Sequence, residues 1–377
     1  MAGREKVRVG VIFGGRSGEH AVSLESARFI LSVLDEMKDR YIVTQIGITR
    51  AGRWLTGDGV LDALQREDTD GLSAITLLAD PSRAGLVPVG AQRAAPLPEQ
   101  GAADIDVYFP VLHGTFGEDG ALQGLFEMAD VAYVGGGVTA SAVGMDKAVF
   151  NDVMRANDIP VVDTVLVLRS ELQADMEAVL ERVERLGDYP FFTKPANLGS
   201  SVGVSKVGNR SDLMEGLMEA AEYDRRVIVQ RGLNAREIEV SVLGNDRPEA
   251  SVCGEVLPHG EFYSYESKYH DDRSETVIPA DLPEETAQRI RALAVKAYQA
   301  IDMAGMARVD FFLDKDTGEV YLNELNTIPG FTQISMYPML WEASGVSNRE
   351  LVDRLIQLAL ERKAERDATK REFRRAA

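Results

Sequence analysis

The chain has 377 residues, 45% hydrophobic and 27% charged, enough to bury sizeable cores in two or three domains. Its formal net charge of -19 excludes a general nucleic-acid or anionic-membrane surface, because both need a basic field; it leaves room for a nucleotide met by a few local lysines and metal ions. The single cysteine, Cys253, rules out an internal disulfide, and with no signal-type apolar region and no apolar run near 18 residues the expected location is the cytoplasm.

In chain order, residues 7–13 read as a β-branched strand entering Gly14-Gly15, and a helix follows over 20–35. Further strands are expected over 41–48 and 105–112, with a helix over 120–129 before "VAYVGGGV". This βαβ rhythm predicts a parallel sheet in an open α/β, Rossmann-like domain ending near Gly136. Residues 80–101, rich in Pro, Gly and Ala, read as a surface excursion. Composition shifts at 135–137 and 231–235 divide the chain into units 1–135, 136–230 and 231–377.

The opening loop looks like a phosphate cradle, but Gly-x-Gly-x-x-Gly is missing and Glu19 stands at the helix start. A carboxylate there repels an anion and suits a cation. Farther along, "FFTKPANLGSSVGVSKV" ends a strand at Lys194-Pro195 and enters a Gly/Ser loop. No Gly-Lys-Ser/Thr opens a helix, so Walker A is excluded; what remains is backbone N–H groups and the Ser200 and Ser201 hydroxyls able to close over phosphates, with Lys194 as a point charge. A plain β-hairpin turn accounts for the same residues. Cys253, in the expected strand "EASVCGEV", reads as core.

"GEFYSYESKYHDDRSETVIPADL" carries four aromatics in residues 262–269, more than a solvated loop needs, so residues 258–278 read as a lid or as a packed Ω-loop before a helix at 283–302. In "MARVDFFLDKDTGEVYLNELN", two apolar runs flank a Gly-containing turn. Alternation puts Arg308 and Asp310 on one face of the first strand, and Glu324 and Asn326 on one face of the second. If the faces coincide, hard oxygen donors gather beside a guanidinium, a set that favours magnesium bound jointly with phosphates; a salt-bridged polar sheet face is the alternative. Pro329-Gly330 then forces a turn whose Gly330 N–H, beside Arg308, is suited to an oxyanion. At the C-terminus, Leu351, Val352, Leu355, Ile356 and Leu358 have helical spacing, and the charged last two turns read as a solvated or frayed end.

Together, "FGGRSGEHAVSLES", "FPVLHGTFGEDGALQG", "YVGGGVTASAVGMDK", "KPANLGSSVGVSK", "NAREIEVSVLGN", "FYSYESKY", "ARVDFF" and "NELNTIPGFTQISMYP" make the chain resemble the D-alanine-D-alanine ligases of the ATP-grasp superfamily over nearly its whole length. The resemblance implies a three-domain α/β ATP-grasp fold that clamps ATP between the central and C-terminal units. Lys147 and Lys194 would hold ATP phosphates and Glu237 the ribose. Ser200 and Ser201 would cover the phosphates, and Gln230 would meet the adenine where relatives commonly carry Glu. Asp310, Glu324 and Asn326 match ligands of two magnesium or manganese ions. Arg308 and the Gly330 N–H would hold the oxyanion, Glu19 the ammonium of the first D-alanine with His113 nearby, and Ser335 and Lys268 the carboxylate of the second. Tyr269 and Ser200 match a latch joining the lid to the N-terminal domain, while Glu118 and Asp119 would orient loops. D-alanine and ATP are the implied partners, with a homodimer as the assembly. Rival readings are another ATP-grasp carboxylate-amine ligase, a non-catalytic nucleotide sensor on the same fold, and, on the opening loop alone, a dinucleotide oxidoreductase.

Overall fold

The computed structural model describes residues 6–82, 85–90, 105–257 and 275–370. Strands β1 (Val7–Gly14), β2 (Tyr41–Ile48), β3 (Trp54–Thr56), β4 (Ser73–Leu77), β5 (Leu86–Pro88) and β6 (Val107–Val111) form one sheet in the order β5-β4-β3-β2-β1-β6. β1 pairs parallel with β2 and β6, as the βαβ rhythm predicts. The other pairs, β2 with β3, β3 with β4 and β4 with β5, are antiparallel, so the sheet is mixed. Residues 49–53 are too few for the crossover that a parallel neighbour needs.

Helix α1 (His20–Asp35) lies over this sheet because Leu24, Ala27, Ile30 and Leu34 fall on one face at helical spacing and are buried. The expected excursion over 80–101 is only partly one: Leu86 is 2% exposed and packs with Ile75 and Leu77. Its apolar side chain completes the sheet edge, which a Pro/Gly-rich background obscures. Residues 83–84 and 91–101 of that stretch lie outside the described residues.

Helices α2 (Val60–Gln65), α3 (Ala121–Ala129), α4 (Val138–Met145) and α5 (Lys147–Ala156) follow in the chain. The second sheet has β7 (Thr164–Leu168), β8 (Phe191–Pro195), β9 (Ser205–Val207) and β10 (Arg226–Arg231), all paired antiparallel in the order β7-β10-β8-β9. Helices α6 (Arg169–Ala174), α7 (Met176–Glu184) and α8 (Arg210–Tyr223) accompany it, with Val183, Leu213 and Leu217 meeting Val167, Val227 and Val229 in one core.

The third sheet, β11 (Ala235–Gly244), β12 (Glu249–Leu257), β13 (Glu275–Val277), β14 (Gly305–Asp314) and β15 (Val320–Asn326), runs β13-β12-β11-β14-β15. Helix α9 (Glu284–Ala300) packs on it, and so do α4 and α5: Ala140, Phe150 and Met154 share a core with Ile238, Val240, Val309 and Tyr298. Cys253 is buried in the same core, and burial pushes its thiol up to about 11. Helices α10 (Met336–Ala343) and α11 (Asn348–Ala368) join the first and third sheets, since Ile328, Phe331, Trp341, Leu351 and Leu355 share a core with Val9, Phe13 and Leu24. Among the described residues no helix is long and apolar enough to cross a membrane.

Residues 371–377, with the last turns expected to be solvated or frayed, lie outside the described residues, and the charged end of α11 before them is held in place. Its last charged turns clamp the chain end to the first unit: Arg366 pairs with Glu127 and Asp130, Lys363 with Asp130, and Arg362 donates to the Gly135 carbonyl and lies 4.4 Å from the Tyr133 ring centroid. Opposite charges brought from α3 and its C-cap replace water, a match that local sequence does not reveal.

Candidate active site

The polar face of the third sheet is set by register. Arg308 stands opposite Asn326, and Asp310 opposite Glu324, so the two expected faces do coincide. On the other flank of β14, Glu239 of β11 stands opposite Asp310, and Ser241 opposite Arg308. Arg308 Nε and Nη2 donate to Asp310 Oδ1 and Oδ2 at 2.8 and 2.7 Å, forming a bidentate fork. Glu239 Oε2 is 3.0 Å from Arg308 Nε, and Asn326 Nδ2 donates to Asp310 Oδ2 at 3.0 Å. Burial works against the Arg308 charge, but the Asp310 and Glu239 carboxylates outweigh it and hold its pKa well above the ordinary value. Glu239 went unnoticed in the sequence, although its place two residues after Glu237 on one strand puts both on the same face.

The Gly330 turn follows β15 directly. A Cβ at Gly330 would come 3.1 Å from Ser335 Oγ, so the bare glycine lets the turn approach the start of α10. Ser335 is the N-cap of α10, and its Oγ accepts from Thr332 N–H at 3.0 Å. The turn is braced from the first unit. His113 Nδ1 is 2.9 Å from the Ile328 carbonyl, its Nε2 is 3.0 Å from Ser26 Oγ, and Ser26 Oγ accepts from Phe331 N–H at 3.1 Å. The neutral ring with its proton on Nδ1 satisfies all three contacts, and burial holds the His113 pKa below its ordinary value. Both ring nitrogens are therefore used inside the protein, so His113 braces the Ile328–Phe331 turn and offers neither nitrogen to a ligand.

Glu118 completes the brace by accepting from Gly114 N–H at 2.7 Å and Ile328 N–H at 2.9 Å. Burial first, and then the nearby Glu19 carboxylate, push its pKa up to about 8, against the pull of those two donors. Asp119 receives Phe116 N–H and Ala121 N–H, so both acids orient loops as expected. Glu19 is the N-cap of α1 but makes no side-chain cap bond. A Cβ at Gly114, whose φ is +73°, would lie 2.4 Å from Glu19 Oε2, and one at Gly199 3.4 Å, so the carboxylate sits between the His113–Gly114 loop and the Gly/Ser loop.

Cations come from the start of α5 and from the second sheet. Lys147, first residue of α5, donates to the Leu198 carbonyl at 2.6 Å, and its helix start is fixed by Asp146, which caps Ala148 and Val149 and pairs with Arg226. Lys194 donates to Gln230 Oε1 at 2.6 Å; because ammonium only donates, this bond sets the amide orientation and leaves the NH2 of the buried Gln230 as its donor side. The segment between β8 and β9 is the antiparallel connection a hairpin reading expects, yet Ser200 and Ser201 both adopt left-handed φ, 54° and 55°. Ser200 Oγ is buried without a hydrogen-bond partner among the described residues, which marks a place for a ligand to complete. Glu237 lies on β11. Lys268 and Tyr269, with most of the expected lid, lie outside the described residues.

Among the described residues no group of three or more His, Cys, Asp or Glu is gathered as a metal site. Two carboxylates and an amide oxygen nonetheless fit a hard divalent cation that takes its remaining ligands from phosphate oxygens and water.

Three sheets, with Lys194 and a serine-bearing loop on the second and a carboxylate–arginine surface on the third, define an ATP-grasp protein, the fold shared by its structural neighbours. Residues 8–136 match the family model described as D-ala D-ala ligase N-terminus, and residues 153–357 the one described as D-ala D-ala ligase C-terminus. The chain belongs to the D-alanine–D-alanine ligase family. It is 48% identical over 368 residues to a D-alanine–D-alanine ligase of Acetivibrio thermocellus, covering 95% of this chain and 97% of the relative. It is also 48% identical over 369 residues to one of Heliobacterium modesticaldum, at 97% and 98% coverage. The solved D-alanine–D-alanine ligase from Coxiella burnetii superposes with a TM-score of 0.83 at 37% identity, covering 97% of each chain. VanG D-Ala:D-Ser ligase from Enterococcus faecalis gives 0.82 at 34% identity, covering 94% of this chain and 100% of that one.

Proposed function

We propose that the protein joins two D-alanines into D-alanyl-D-alanine at the expense of ATP, by way of an acyl phosphate, for peptidoglycan precursors. The observation that carries this reading is the convergence of Arg308, Asp310, Glu324 and Asn326 on one face beside the Gly330 turn, in a chain of this family. In this reading Glu19 holds the ammonium of the first D-alanine, whose carboxylate takes the γ-phosphoryl group of ATP. Lys147, Lys194, Ser200 and Ser201 hold the phosphates, Glu237 the ribose, and Gln230 the base edge. Asp310, Glu324 and Asn326 would hold magnesium or manganese, two ions in the family pattern, whose chemistry is to neutralise charge on the phosphates. The amine of the second D-alanine then attacks the acyl carbonyl, and phosphate leaves.

Arg308 and the Gly330 N–H would receive the oxyanion of that tetrahedral state. Ser335, at the positive end of α10, would meet the second carboxylate together with Lys268. Tyr269 would latch to Ser200 and exclude water from the acyl phosphate. His113 acts on the first D-alanine through the loop it braces. We carry the homodimer, a cytoplasmic place of action and the units 1–135, 136–230 and 231–377 as part of the same proposal.

The test is ADP release with ATP, magnesium and D-alanine compared with L-alanine. Turnover with D-alanine alone is expected. Release with some other acid and none with D-alanine would identify another carboxylate-amine ligase, and stabilisation by ATP without turnover would identify a sensor.

A further inference from the structure

We infer that Glu239 is a positioning residue, which retains Arg308 when Asp310 turns to a divalent cation; this rests on the proposed reading of the site. The geometry sets a conflict. Asp310 Oδ2 already accepts from both Arg308 Nη2 and Asn326 Nδ2, and Oδ1 accepts from Arg308 Nε. A carboxylate oxygen has two lone pairs, so Oδ2 is filled by donors, and a cation would enter through the remaining lone pair of Oδ1, beside the Arg308 Nε–H. Turning the Asn326 amide frees one lone pair and offers its own oxygen. Either way the cation would share the Asp310 carboxylate with Arg308, a buried cation beside a divalent one whose fork is then weakened.

A buried guanidinium whose carboxylate partner is shared with a cation is expensive, so the site gains from a second anion that stays on Arg308. Glu239 is that anion. It stands directly opposite Asp310 in the register, its side chain is 9% exposed, and its Oε2 is 3.0 Å from the same Nε that Asp310 shares. Arg308 can thus lean from the Asp310 fork onto Glu239 without leaving the face of the sheet. β11 keeps Glu239 in place because Ile238 and Val240, its neighbours along the strand, are fully buried on the opposite face.

The experiment measures Mn2+ affinity by electron paramagnetic resonance in the presence of a non-hydrolysable ATP analogue, on the full-length protein. Glu239→Gln, which keeps shape and an acceptor but removes the charge, is expected to weaken Mn2+ binding about tenfold and to lower kcat while leaving the KM for D-alanine unchanged. Glu239→Asp is expected to recover part of both. In an Arg308→Gln background, Glu239→Gln is expected to change Mn2+ affinity by less than about threefold, because Glu239 acts through Arg308. Equal weakening in both backgrounds would make Glu239 a metal ligand and overturn the inference. Unchanged Mn2+ affinity with a lowered melting temperature would overturn it too, leaving a purely structural ion pair. If Glu239→Gln alone does not fold, the comparison of Glu239→Asp with wild type decides the matter by the same affinity. Because binding is read without turnover, failure here is separate from failure of D-alanine ligation, which the ADP assay reports.

Discussion

Ser26→Ala tests whether the first unit sets the geometry of the Gly330 turn. Ser26 is fully buried, and its hydroxyl joins Phe331 N–H to His113 Nε2, while the same ring holds the Ile328 carbonyl. Removing one oxygen leaves a buried backbone donor and a buried ring nitrogen unpaired. Each unmade buried hydrogen bond costs about 1–3 kcal/mol, so the expected loss of stability is about 2–6 kcal/mol, far above that of an ordinary Ser→Ala change at the surface. Guanidinium unfolding followed by tryptophan fluorescence reads it well, because Trp341 shares a core with Ile328 and Phe331. Catalysis should suffer separately. Gly330 lies between the two braced residues, and a displacement near 1 Å of a positioned group costs about 100-fold. We expect kcat to fall about 10- to 100-fold with the KM for ATP unchanged, since Lys147 and Lys194 are anchored elsewhere. A stability loss below about 1 kcal/mol, or full kcat in the folded variant, would refute the brace.

At the chain end, Arg366→Glu should lower the melting temperature and Glu127→Arg added to it should recover part of the loss; an unchanged melting temperature would reduce the clamp to surface decoration. Glu118, raised from 4.5 to about 8 by burial and Glu19, contributes stability that is full below pH 4.5 and is lost as pH rises through about 8. An ammonium at Glu19 cancels part of that rise, so D-alanine binding near pH 7.5 should release protons. Calorimetry in buffers of different ionisation enthalpy would show this as a sloped binding heat, and a flat one would remove the coupling. Chelation of divalent metal should abolish ADP release while leaving the fold intact, because Arg308 and Asn326 satisfy Asp310 without a cation. Unfolding upon chelation, seen by circular dichroism, would contradict that account.

Where local pattern governs, sequence was enough. The apolar spacing of α1, the alternation of β14 and β15 and the Gly-containing turn between them follow from periodicities of 3.6 and 2, which depend only on neighbouring residues. The ordered motifs likewise single out Glu19, Arg308, Asp310, Glu324 and Asn326 as candidates, because residue type and spacing along a strand or at a helix start carry their chemistry. Contacts between distant segments lay beyond it. The antiparallel β3–β5 edge, the packing of α4 and α5 on the third sheet, and the pairing of Arg366 with Glu127 depend on which surfaces meet. So do the His113–Ser26–Phe331 brace, 305 residues apart between Ser26 and Phe331, and the placing of Glu239 against Arg308. A carboxylate or histidine looks the same in sequence whether it faces a ligand or a backbone carbonyl. Strand register and burial select its partner, and these belong to the tertiary structure.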